Sequence, residues 1–203
     1  MKKKKIGIMG GTFNPIHMGH LVLAETARTQ YALDEILFIP SGKSYMKQGM
    51  NIPAGEIRAD MTSLAIEDNP YFALSLMEIE RKGNTYTYET LEALKAQNPD
   101  KEYYFILGED SLFALEKWKE TQKIFDSCTI LVAVRAGTSQ GDIELEAARL
   151  SAKYQGKIQF LDCGNMDISS TKIRENVKNG HSIRYLVPEK VIAYIEEHHL
   201  YCE

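Results

Sequence analysis

Short apolar runs alternate along this chain with longer stretches of helical spacing. Ile6 to Met9 is the first run and reads as a buried strand that breaks at Gly10-Gly11. Leu21 to Arg28 then has the spacing of a helix, and Glu35 to Pro40 is a second apolar strand, stopped by proline. Two strands joined by a helix form a βαβ unit, which calls for a parallel sheet. The alternation continues. Ile57, Met61, Leu64 and Ala65 mark a helix over 56–67, closed by Asn69-Pro70, and Phe72 to Ile79 alternates as a strand. A threonine-capped helix runs from the Thr85–Thr90 stretch to Gln97, followed by a strand over Glu102–Leu107 and a helix over Leu112–Phe125. Strands over Thr129–Val134 and Ile158–Leu161 enclose an amphipathic helix, Glu144–Tyr154. Two further helices complete the pattern, one opening at Ser169-Ser170-Thr171 and closed by Asn179-Gly180, the other over Pro188–His198. The expected class is α/β, with helices on both faces of a parallel sheet. No repeat, low-complexity tract or linker divides residues 1–203. They read as one domain whose part from about residue 165 onward is helical.

Composition narrows the class only slightly. The chain of 203 residues is long enough for a sizeable core, and 44% hydrophobic with 26% charged residues is ordinary for a globular protein. A net charge of −4 argues against a non-specific nucleic-acid binder, while leaving room for an anionic small substrate held by local cations. The basic run Lys2–Lys5 is not followed by a signal-peptide apolar segment, and no apolar stretch approaches a membrane span. Cys128, Cys163 and Cys202 are odd in number and widely spaced, which suggests reduced thiols in a cytoplasm.

Candidate chemistry concentrates at the ends of the predicted strands. The stretch from Gly10 to His20, Gly-Gly-Thr-Phe-Asn-Pro-Ile-His-Met-Gly-His, packs a glycine turn and two imidazoles against a helix start. Such a helix N-terminus favours anions. A His-x-x-His pair can also bind zinc, but no other Cys or His nearby has ligand spacing. Gly42-Lys43-Ser44 has the tail of a P-loop, yet its first glycine would fall at Leu37, so that reading fails. Asp110 stands at the carboxyl end of a strand, placed for a ligand or as a helix cap. Trp118 fits the core or a stacking surface. Arg135 follows a strand end, where a guanidinium meets phosphate. Arg174 lies three residues past Thr171, on the same helical face. Ser169, Ser170, Thr171 and Arg174 therefore read either as a capping box or as a phosphate cradle.

The first motif resembles the Gly-Gly-Thr-Phe-Asp-Pro-x-His-x-Gly-His signature of the nucleotidylyltransferase superfamily, with Asn14 where Asp is usual. Ile168-Ser-Ser-Thr-x-Ile-Arg174 resembles its second signature. That resemblance implies a Rossmann-like three-layer α/β fold. It also implies an ATP site made of Gly10, Gly11, Thr12, Phe13, His17, His20, Gly108, Asp110, Ser169, Ser170, Thr171 and Arg174. The middle of the chain is similar to the bacterial nicotinate-mononucleotide adenylyltransferases, through Arg81-Lys-Gly-Asn-Thr-Tyr-Thr87, Gly108-Glu-Asp-Ser-Leu112 and Lys117-Trp118. By that likeness Thr85, Tyr86, Thr87, Trp118 and Arg135 contact the nicotinate nucleotide. Lys47 joins His17, His20 and Arg174 in catalysis. One departure is Met46, which stands where the family has a histidine, and methionine is no strong hydrogen-bond donor. The expected reaction moves AMP from ATP to nicotinate mononucleotide. Mg²⁺ is carried by the ATP phosphates, not by a protein metal site. Neither a nucleic-acid nor a membrane partner is expected, and a homo-oligomer stays open. Two other readings stay open beside it: the same chemistry on another acceptor, such as nicotinamide mononucleotide or phosphopantetheine, and a nucleotide-binding module without turnover.

Overall fold

The computed structural model describes residues 3–42, 52–134, 140–164 and 167–202. Among these residues six parallel strands form one sheet. In chain order the elements are β1 (Lys4–Gly11), α1 (Met18–Gln30), β2 (Glu35–Pro40), α2 (Gly55–Ile66), β3 (Phe72–Leu74), α3 (Thr87–Gln97) and β4 (Lys101–Gly108). After these come α4 (Glu109–Ala114), α5 (Thr121–Ser127), β5 (Thr129–Ala133), α6 (Gln140–Tyr154), β6 (Ile158–Leu161), α7 (Ser170–Lys178) and α8 (Glu189–Glu197). The strand order is β3-β2-β1-β4-β5-β6. The chain thus winds outward from β1 in one direction, then returns to β4 on the other side. This doubly wound arrangement is the Rossmann-like fold expected from the sequence.

Strand periodicity sorts the core into two layers. Ile36 and Phe38 of β2, Ile106 of β4 and Leu131 of β5 face one side, where they pack with Ala24 and Ala27 of α1, Met61 of α2, Ile173 of α7 and Val191 of α8. Ile6 and Ile8 of β1, Phe105 and Leu107 of β4, and Ile130 and Val132 of β5 face the other, against Leu91 of α3, Ile124 of α5 and Ile143 of α6. Both faces are covered, which explains why these strands read as unbroken apolar runs. The C-terminal helices belong to the first layer, so the residues after 165 share a core with β1. Among the described residues no helix is long and apolar enough to cross a membrane.

Three expectations need correction. β1 does not break at Gly10-Gly11: both glycines still pair with β2, opposite Ile39 and Pro40, and the chain turns at Phe13, whose φ is 48°. The strand expected over Phe72–Ile79 stops at Leu74. Its neighbour β2 ends at Pro40, which has no N–H to continue the ladder. The helix expected over Leu112–Phe125 is interrupted. A 3₁₀ turn covers Leu115–Lys117, Trp118 is extended and Glu120 is left-handed with φ 54°. The Thr121 hydroxyl donates to the carbonyls of Leu115 and Trp118 (3.0 Å each), closing one segment and opening the next.

Candidate active site

The site begins just past the end of β1. A Cβ added to Gly11 would lie 2.9 Å from the Phe13 ring, so only glycine lets that ring fold beneath the strand end. Phe13 is buried and makes a T-shaped contact with His20, with centroids 5.1 Å apart at 89°. His17 is the N-cap of α1, and its backbone N–H donates to Nδ1 of His20 at 3.2 Å. The two imidazoles stack at 3.7 Å with their planes 27° apart. A Cβ at position 19 would come within 3.0 Å of His17 Nδ1, so Gly19 leaves room for that ring. Because Nδ1 of His20 accepts an N–H, the proton of the neutral ring sits on Nε2. Burial, and secondarily the neighbouring His17, hold His20 well below the usual histidine range. At neutral pH it is an uncharged donor.

The His17–His20 turn is braced from several distant segments. Arg174 donates to the Asn14 carbonyl at 2.8 Å and to Thr171 Oγ1 at 3.3 Å. The Ser170 hydroxyl donates to the Pro15 carbonyl at 2.9 Å, and the Tyr201 hydroxyl to Asn14 Oδ1 at 2.8 Å. Asn14 therefore acts as an acceptor for Tyr201, a role its amide oxygen fills as a carboxylate would. Arg58 of α2 is 4% exposed. It donates to the carbonyls of Thr12 (2.6 Å), Ser41 (2.7 Å) and Pro53 (3.1 Å), tying the ends of β1 and β2 to α2.

Above the carboxyl ends of β1 and β4, where the strand order reverses, lies a cleft of two lobes of about 280 and 340 Å³. Ligands of doubly wound sheets sit at this place. The lobes share Gly10, Phe105, Ser111 and Trp118. Thr85, Tyr86 and Thr87 line the smaller lobe together with Gly11 and Thr12, which the resemblance assigns to ATP. His17, His20, Gly108, Asp110, Ser169 and Ser170 line the larger one. Phe13 lies beneath the cleft in the core and supports His20 from below. Thr171 and Arg174 stand outside the lining, paired with each other. Lys47, Met46 and Arg135 lie outside the described residues. Trp118 reaches both lobes because the helix breaks there, and it meets Phe105 edge-on at 6.1 Å and 83°.

The structure adds residues the sequence did not single out. Glu78 lines the smaller lobe, accepts from Thr90 Oγ1 at 2.7 Å, and has its pKa raised by burial against the opposing pull of Thr90 and Thr85. Thr85 is thus engaged with Glu78, and the N-cap of α3 is Tyr86, not a threonine. Ser41, Ser111 and Lys119 also line this lobe. Asp110 lies in the first turn of α4, whose N-cap is Gly108.

Ser169 does cap α7, accepting from the backbone N–H of Lys172 at 3.3 Å. Ser169→Ala is expected to lower stability by about 1 kcal/mol in urea unfolding. An unchanged midpoint would show that water replaces the cap at no cost.

Comparisons with known proteins agree with this geometry. The cytidylyltransferase-like family matches residues 8–176. A protein of Lachnoclostridium phytofermentans named "Probable nicotinate-nucleotide adenylyltransferase" is 46% identical over 98% of this chain and 99% of its own length. A protein of the same name from Dehalococcoides mccartyi strain CBDB1 is 44% identical over 100% and 99%. Among solved structures, the Plasmodium falciparum nicotinic acid mononucleotide adenylyltransferase complexed with NaAD superposes with a TM-score of 0.76. It covers 98% of this chain and 97% of its own at 21% identity, and so speaks for the fold. The same enzyme complexed with APC gives a TM-score of 0.75. By family match and by full-length identity, the chain belongs to the cytidylyltransferase-like family and, within it, to the nicotinate-nucleotide adenylyltransferases.

Proposed function

We propose that this protein transfers AMP from ATP to nicotinate mononucleotide, giving deamido-NAD and pyrophosphate. The observation that carries the reading is the cleft itself: two lobes sharing Gly10 and Trp118, so that two nucleotides bound side by side meet over the end of β1. The histidine-lined lobe takes ATP and the Tyr86–Trp118 lobe takes the acceptor. The names of the relatives support this choice of substrates.

In the reaction, an oxygen of the acceptor 5′-phosphate attacks the α-phosphorus of ATP. A P–O bond forms there as the bond to the β-phosphate oxygen breaks, and pyrophosphate leaves with that electron pair. No covalent enzyme intermediate is required. The protein positions the two phosphates and stabilises charge on their oxygens. His20 donates from Nε2 to the α-phosphate, and His17 orients the triphosphate. Ser169 offers its hydroxyl at the N-terminus of α7, beside Ser170, whose own hydroxyl proton goes to the Pro15 carbonyl. Arg174 and Lys47 balance negative charge on the phosphates. Mg²⁺, carried by the ATP phosphates, would supply charge neutralisation for the pyrophosphate leaving group. The donor set fits that arrangement, because imidazoles, hydroxyls and N–H groups meet phosphate oxygens. Among the described residues no cluster of three or more His, Cys, Asp and Glu side chains is placed to hold an ion.

The test is pyrophosphate release from Mg-ATP with nicotinate mononucleotide, nicotinamide mononucleotide and phosphopantetheine in parallel. Strong preference for the first is expected. Turnover with another acceptor alone would overturn the substrate assignment, and ATP binding without turnover on any of them would overturn the enzymatic one.

A further inference from the structure

The acceptor lobe contains a cation that the mechanism above leaves unused. Lys119 follows Trp118 directly, in the extended break before α5, and lines the lobe. Its Nζ stands 4.4 Å from the centroid of the Tyr86 ring. Tyr86 is the N-cap of α3, an 11-residue helix. The ring that holds the ammonium thus belongs to the residue at the positive end of that helix. Among the described residues Lys119 forms no ion pair, whereas Lys123 and Lys153 pair with Glu92 and Glu116. An ammonium over an aromatic face is placed but weakly satisfied, and it can turn to an anion at little cost. Among the described residues the other charged group lining the lobe is Glu78, which is engaged with Thr90 and pushed by burial towards its neutral form. Positive potential therefore gathers at the Tyr86–Lys119 end.

We infer that Lys119 is a specificity-determining residue whose ammonium meets the carboxylate of a pyridine carboxylate nucleotide and so favours it over the carboxamide analogue. The inference rests on reading this lobe as the acceptor site. A carboxylate accepts a charge-assisted hydrogen bond from the ammonium, and a neutral amide oxygen accepts a weaker one. The acceptor's phosphate is a second anion within the reach of such a side chain. Both analogues carry that phosphate, so comparing them separates the two sources.

The experiment measures kcat/KM for nicotinate and nicotinamide mononucleotides with the wild-type protein, Lys119→Met and Lys119→Arg. Lys119→Met is expected to lower kcat/KM for the nicotinate form about tenfold, mostly through KM, the scale of one charged hydrogen bond. The ratio between the two acceptors then falls by a similar factor, and Lys119→Arg restores most of it. An equal loss on both acceptors would transfer Lys119 to the phosphate and overturn the inference, as would an unchanged ratio. A wild-type protein that does not prefer the nicotinate form would overturn the acceptor assignment as well. Thermal melts of the variants show whether the fold is intact.

Discussion

His20→Ala is expected to lower kcat by about 10²-fold or more, the scale of losing one preorganised donor to a developing charge. The ring is held on three sides. The His17 N–H fills Nδ1, the His17 ring stacks on one face, and Phe13 meets it edge-on. Nε2 is then the only ring nitrogen left to donate, and its direction is set before ATP arrives. Alanine removes that donor and leaves His17 N–H without its acceptor, so some loss of stability accompanies the loss of rate. Steady-state kcat at saturating ATP, with ATP affinity from calorimetry, separates the two effects. An unchanged kcat in a folded variant would remove His20 from the reaction. The same burial has a pH signature. The folded-state pKa of His20 is depressed, so its contribution to stability is present above the unfolded value of about 6.5 and is lost as pH falls below it. Because the free protein resists protonating His20, the acid limb that this residue gives to kcat/KM for ATP should lie below pH 6.5.

The second large effect is expected at Arg58. Its guanidinium is buried with three main-chain carbonyls and, among the described residues, no carboxylate bonded to it. Burial pulls its pKa down, yet an arginine stays charged. Removing a buried cation returns its desolvation cost. Against that, Arg58→Met strips the partners from the carbonyls of Thr12, Ser41 and Pro53, each about 1–3 kcal/mol when left bare. The carbonyls win, and a net loss of about 3–5 kcal/mol is expected in urea unfolding. In a chain of this size that corresponds to a fall in Tm of roughly 10 °C. Arg58→Lys recovers only part, since a point charge cannot span three acceptors as a planar fork does. A loss below about 1 kcal/mol would mean that water or a backbone shift satisfies those carbonyls.

The sequence made the strands legible because both faces of a parallel sheet are buried. Runs such as Glu35–Pro40 and Ile158–Leu161 then declare themselves without reference to anything distant. The glycine–histidine turn was legible as a dense local motif. Three features depended on partners far along the chain. β3 is short because of Pro40 on the neighbouring strand. The helix breaks at Trp118 because Thr121 caps two carbonyls while the indole turns to Phe105. Arg58 reads as one charged position on the 56–67 helix until Thr12 and Ser41 come beside it. The Thr171–Arg174 spacing did predict a shared helical face, and the pair is bonded at 3.3 Å. The other guanidinium nitrogen goes to the Asn14 carbonyl, 160 residues away, which no spacing could reveal.

The bond from Tyr201 to Asn14 spans 187 positions. During synthesis the early segment bearing Asn14 leaves the ribosome long before Tyr201 exists. The turn that carries the histidines is therefore braced only after β6 has been made, and a nascent chain can build most of the sheet while that turn is still unbraced. Bracing of the histidine turn therefore waits on a contact with a large loop-closure cost.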